Sequence, residues 1–128
     1  MPSVSAFASV AGGAVLGAWT RWLLIGRFNA VFPHVPLGTL IANLSGGLMI
    51  GFMVAFLIDL PQASPNLRLF VITGFLGALT TFSSFSAESL ELLQVGRYGW
   101  ALLHTCLHLF GSLAAAALGF ALWRAASA

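Results

Sequence analysis

Lysine is absent from this chain, and charge of either sign is scarce. Five arginines and three acidic residues make up 6% of the 128 positions, against roughly 25% in a typical soluble domain. That scarcity excludes a water-soluble globule. A single cysteine, Cys106, excludes an internal disulfide and any metal site built from several thiolates. The formal charge of +2 comes from scattered arginines rather than a basic patch, so no nucleic-acid partner is expected. Met1 to Thr20 carries none of the early basic residues that open a cleavable signal peptide, and it runs on into Arg21-Trp22-Leu23. It reads as a retained first helix.

What the chain has in abundance is apolar length. Uncharged stretches of 20 residues (Met1 to Thr20), 31 (Phe28 to Ile58), 19 (Leu69 to Ala87) and 26 (Tyr98 to Trp123) separate the charges. Each can hold a helix of the ~20 residues that cross a ~30 Å hydrocarbon core. The prediction is an all-α membrane protein with one four-helix transmembrane domain over residues 1–128 and spans at about 4–27, 37–58, 67–93 and 100–123. Pro33 and Pro36, the polar run around Asp59, Pro61 and Pro65, and the Gly96-Arg97 turn divide them. Short connections make neighbouring helices antiparallel and put both termini on one side. Small residues four apart, Gly13 and Gly17, Gly47 and Gly51, Ala115 and Gly119, are assigned to close helix packing.

The arginines carry almost no orientation bias. Arg68 and Arg124 fall on one side, Arg27 and Arg97 on the other, with Arg21 snorkelling towards the second. A chain so balanced can insert both ways, and oppositely oriented copies can then pair about a twofold axis in the membrane plane.

The third span is the least regular. Between Thr73 and Ser86 it holds Gly74, Gly77 and six hydroxyl side chains. Unwound backbone at membrane depth is tolerated where it is buried or lines a cavity, whereas a continuous helix could carry these hydroxyls bonded back to the preceding turn. Composition leaves both open. Asn43 stands in the middle of the second span, either as interhelical glue or as a pore-facing donor. On the fourth span His104, His108 and Ser112 fall at i, i+4 and i+8 and form one polar stripe. No acidic or cysteine ligand shares that stripe, so a conduction lining is preferred over a purely structural role, and both over zinc. Glu88 lies near a span end, as a mouth residue or a coupling carboxylate. Phe82 and Phe85, three apart, project from one side, as core residues or as ring edges that stabilise an anion.

Gly12-Gly13 with Gly17 and Arg21-Trp22, Gly38-Thr39-Leu40 with Asn43 and Gly46, and Gly74-Phe75-Leu76-Gly77 followed by Thr80-Thr81-Phe82-Ser83-Ser84-Phe85-Ser86 and Glu88 closely resemble the Fluc family of bacterial fluoride channels. The third block is the most specific. The resemblance implies an antiparallel, dual-topology homodimer in the bacterial inner membrane, with two fluoride pathways and a central structural sodium ion. It further implies that Asn43 lines the pore, that Phe82 and Phe85 supply aromatic edges, and that Ser83 and Ser84 continue the path towards Glu88. Thr39 and Ser112 match a polar track, Arg21 a mouth, and the carbonyls of Gly77 and Thr80, at a break in the third helix, the sodium ligands from both subunits. His104 and His108 depart from the hydroxyl-bearing residues expected on that track.

The function expected is passive, fluoride-selective export of cytoplasmic fluoride, by donors strong enough to replace the ion's water and weak enough to release it. The absence of lysine, with arginines near span ends, argues against a fixed cationic trap. A small dual-topology, proton-coupled multidrug transporter is the alternative, but it would need a carboxylate deeper than Glu88. A non-catalytic assembly subunit is a third reading. No nucleophile, base and orienting group converge, so an enzyme is not expected.

Overall fold

A computed structural model describes residues 1–128. It is all-helical, with four stretches long and apolar enough to cross a membrane: Val4–Val31, Leu37–Asp59, Pro65–Gln94 and Tyr98–Ala126. The first contains α1 (Val4–Phe28), opened by Ser3, whose hydroxyl accepts from the Ala6 N–H at 3.1 Å. A short 3₁₀ turn, Asn29–Val31, leads past Pro33 to α2 (Leu37–Asp59), which starts directly after Pro36. The third stretch is composite: α3 (Pro65–Arg68), a π-helical segment Leu69–Leu76, the single turn α4 (Gly77–Leu79), and α5 (Phe82–Gln94). α6 (Tyr98–Ala126) completes the chain. Between α5 and α6 the backbone reverses at Gly96, whose φ of 77° suits a residue without Cβ; its N–H bonds the Leu93 carbonyl and the Arg97 N–H that of Leu92.

Two tight crossings build the bundle, and both depend on glycine. α1 lies against the π-helical segment, where a Cβ on Gly13 would strike the Phe70 carbonyl and one on Gly74 would come within 2.6 Å of the Val10 carbonyl. α2 lies against α6, where a Cβ on Gly51 would strike the Ala116 carbonyl and one on Gly119 the Leu48 carbonyl. These are backbone-to-backbone contacts, the packing that lipid favours because apolar side chains alone gain nothing by leaving it. The two halves of the third stretch have different neighbours: the first packs on α1, while α5 packs on α6.

Beside the expected bounds, α6 runs from Tyr98 to Ala126 and the third stretch starts at Pro65. The break in the third helix, left open by composition and implied by the resemblance at Gly77 and Thr80, is present at Thr80 and Thr81, where the backbone turns extended (ψ 152° and 113°). It follows the glycines rather than falling on them.

Candidate functional site

The break is held by one side chain from another helix. Asn43, at mid-α2, accepts from the Thr81 N–H through Oδ1 at 2.7 Å and donates through Nδ2 to the Thr81 carbonyl at 3.1 Å. The amide thus replaces a strand-like partner for a residue that has left the helix. Thr81 in turn caps α5, its Oγ1 accepting from the Ser84 N–H at 3.0 Å. Both bonds divert donors from the helical ladder. With the Thr81 N–H on Asn43, the Gly77 carbonyl loses its i+4 donor; with the Ser84 N–H on Thr81, so does the Thr80 carbonyl. The Ala78 carbonyl, freed in the same way, accepts from Arg21 Nε at 3.0 Å. Arg21 therefore sits against the break instead of snorkelling to a span end: a guanidinium held in lipid takes the nearest released carbonyl.

Beside the break lies a cavity of about 800 Å³, lined among others by Asn43, Gly77, Thr80, Thr81, Phe82, Phe85, His108 and Ser112. A second cavity, of about 550 Å³, opens near the first connection, between Pro33, His34, Glu88, Glu91 and Arg97. His104, with no exposed surface, lies against residues of both. Its Nε2 is 3.5 Å from Glu88 Oε1, its ring stacks on Phe85 at 5.2 Å between centroids and 22° between planes, and it meets the His108 ring at 4.5 Å. Phe85 also leans on His108 at 4.9 Å and on Phe82 at 5.4 Å. Phe82 itself is 79% exposed.

Polar atoms without partners concentrate in this constriction. Glu88 Oε1, both ring nitrogens of His104 and Nε2 of His108 are buried and make no hydrogen bond within the chain. Such groups cost ~1–3 kcal/mol each when left unmatched, so their clustering between two cavities makes this place a candidate binding site. The other Glu88 oxygen, Oε2, accepts from Thr39 Oγ1 at 2.6 Å, and fully buried Thr39 is held by Asn29, whose Oδ1 accepts the Thr39 N–H at 3.0 Å.

The residues singled out from sequence fall into three groups. Asn43, Phe82, Phe85, His108 and Ser112 line the cavity at the break, with Gly77 and Thr80 on the same wall. Thr39, Glu88 and His104 form the continuation towards the second cavity. Ser83 and Ser84 line neither: the Ser83 hydroxyl lies 3.1 Å from Thr81 Oγ1, and Ser84 engages Thr81 through its backbone. The acidic residue missing from the histidine stripe arrives from α5 as Glu88, which periodicity along α6 could not disclose. Asn29 and Thr81 were missed as well, although an asparagine closing a span and a threonine ahead of a new helical turn are both capping signals.

The family model described as CrcB-like protein, Camphor Resistance (CrcB), matches residues 8–120. Curated proteins similar to this chain carry the name fluoride-specific ion channel FluC. One from Pseudomonas syringae pv. maculicola is 56% identical over 110 residues, covering 86% of this chain and 87% of the relative. One from Acinetobacter baumannii (strain ACICU) is 54% identical over 113 residues, 88% and 89% of the two chains. One from Aromatoleum aromaticum is 50% identical over 123 residues, 96% and 94%.

Proposed function

The chain belongs to the CrcB-like protein family, and from that membership and the geometry at the helix break we propose that it is a fluoride-specific ion channel, passive and not an enzyme. It is a multi-pass protein of the bacterial inner membrane and lets cytoplasmic fluoride leave down its gradient. The observation that carries the reading is the cluster of aromatic rings and unpartnered polar atoms between the cavity at the break and the one near the first connection. Fluoride holds water tightly, so a conducting path must offer it replacement donors and positive ring edges without a fixed cation that would retain it. Neutral imidazoles, hydroxyls and phenylalanines meet that demand.

The working unit in this proposal is an antiparallel homodimer embedded in lipid. Its support is the exposed Phe82 and the open cavity at the break, which a second copy would cover, together with the balanced arginines at the two ends. A sodium ion fits the same place. Gly77 and Thr80 present carbonyls without helical donors on the cavity wall, and unwound carbonyls at membrane depth are ligands for a hard monovalent cation. When bound, such an ion would neutralise the partial charge of the released carbonyls. The chain's own residues prepare the site: Asn43 and Thr81 remove the competing donors.

Purified protein in liposomes loaded with fluoride tests the function. Efflux followed with a fluoride electrode should exceed that of protein-free vesicles, while chloride efflux stays at background. Equal efflux of both anions, or none, would overturn the proposal.

A further inference from the structure

Asn43 has two N–H bonds, and the protein uses both. One goes to the Thr81 carbonyl; the other points at His108 Nδ1, 2.9 Å away. The orientation of the amide is fixed by Thr81, since the reverse placement would set carbonyl against carbonyl and N–H against N–H. His108 Nδ1 must therefore accept. In a neutral imidazole, an accepting Nδ1 leaves the proton on Nε2. That nitrogen is buried and has no partner in the chain, and its ring belongs to a Glu88, His104 and His108 group in which one polar atom of each residue lies within 4.8 Å of the others.

We propose that His108 Nε2–H is the anion donor at the constriction and that Asn43 is a positioning residue, holding the imidazole in the Nε2–H form. This deepens the channel reading and rests on it. Asn43, with no N–H to spare, reaches the ion only through the ring. The donor direction also sets this Glu-His-His group apart from a divalent cation site, which would need a lone pair at the same nitrogen. Glu88, tied to Thr39 through one oxygen, brings the other within 3.5 Å of His104 Nε2, so α5 and α6 together close the group. Phe85 covers the two rings on one side. A small, strongly accepting anion fits an isolated N–H in such a corner; larger halides, which accept weakly, gain less from it.

Solid-state NMR on the full chain in lipid vesicles, with ¹⁵N-labelled histidine and mildly alkaline buffer, reads the tautomer directly. His34→Asn and His108→Gln samples assign the three rings. The expected result is Nε2–H at His108 in the wild type, a change to Nδ1–H in Asn43→Asp, whose carboxylate demands a donor, and a fluoride-dependent shift of the His108 Nε2 proton that chloride does not reproduce. Fluoride efflux should fall ~10-fold or more in Asn43→Asp, the effect of losing one hydrogen bond to a charged ion. A wild-type His108 protonated at Nδ1 would overturn the assignment, and it decides the matter even where Asn43→Asp does not fold. Stoichiometric Zn²⁺ binding that displaces the Nε2 proton would also overturn it, in favour of a metal site. Absence of efflux with the Nε2–H tautomer intact would strike the channel reading and leave the role of Asn43 standing.

Discussion

Phe85 is the residue through which the constriction's parts touch one another. Its ring contacts Phe82, His104 and His108, so its face is turned to imidazole. The spacing of Phe82 and Phe85 placed them on one side of the segment, as found; what each ring faces depends on residues from α6. Phe82→Ile and Phe85→Ile, made separately, keep bulk and remove the polarised edge, worth ~0.5–1.5 kcal/mol in aromatic contacts. Fluoride efflux is expected to slow by about 3- to 10-fold in each, with the larger effect at Phe85, and gel filtration in detergent should stay unchanged. Wild-type efflux from both variants would remove the rings from the path. The histidine stripe was legible because it lies along one helix. Its partner Glu88 was not, because the meeting of α5 with α6 is set by the break and not by any local pattern.

Among the elements, the tight crossings were the most readable and the broken segment the least. Small residues at four-residue spacing marked both crossings, and the structure puts backbone opposite Gly13, Gly51 and Gly119. Gly51→Ala and Gly119→Ala should each lower stability by ~1–3 kcal/mol, since backbone cannot yield as a side chain does. Gly26, with nothing within 4 Å of its Cβ position, provides the control: Gly26→Ala should leave stability unchanged or slightly raised. Thermal unfolding in detergent measures the difference. Equal behaviour of the three variants would show that these approaches are looser than described. From composition the break was foreseeable only as a region, because glycines and hydroxyls weaken a helix without choosing where it opens; the resemblance alone brought it to Gly77 and Thr80. Asn43 makes that choice, from 38 positions away in sequence.

At the scale of the whole molecule, charge is disposed evenly. One end holds Arg68, on the Pro61 carbonyl, and the Arg124 to Asp59 pair at 3.3 Å; the other holds Arg27 and Arg97, the latter 2.7 Å from His34. Arg21 belongs to neither end, so the count stays at two against two. A cysteine at exposed Ala30, on a Cys106→Ala background, should be modified by a membrane-impermeant thiol reagent from both sides of the membrane in comparable yield. Modification from one side alone would rule out dual topology. Ala30 serves better than its neighbour Asn29, whose amide holds Thr39.

The broken third segment also bears on how the chain enters the bilayer during synthesis. α5 is 13 residues long, ~20 Å at 1.5 Å per residue, too short to cross a ~30 Å core by itself, and it carries Ser83, Ser84, Ser86 and Glu88, which hydrocarbon repels. The stretch before the break is comparably short and finds its shelter on α1. Neither half is a self-sufficient insertion unit. α5 is tied to α2 by Thr39 and Asn43 but packs on α6, so the third stretch completes its packing only once the last helix has been made.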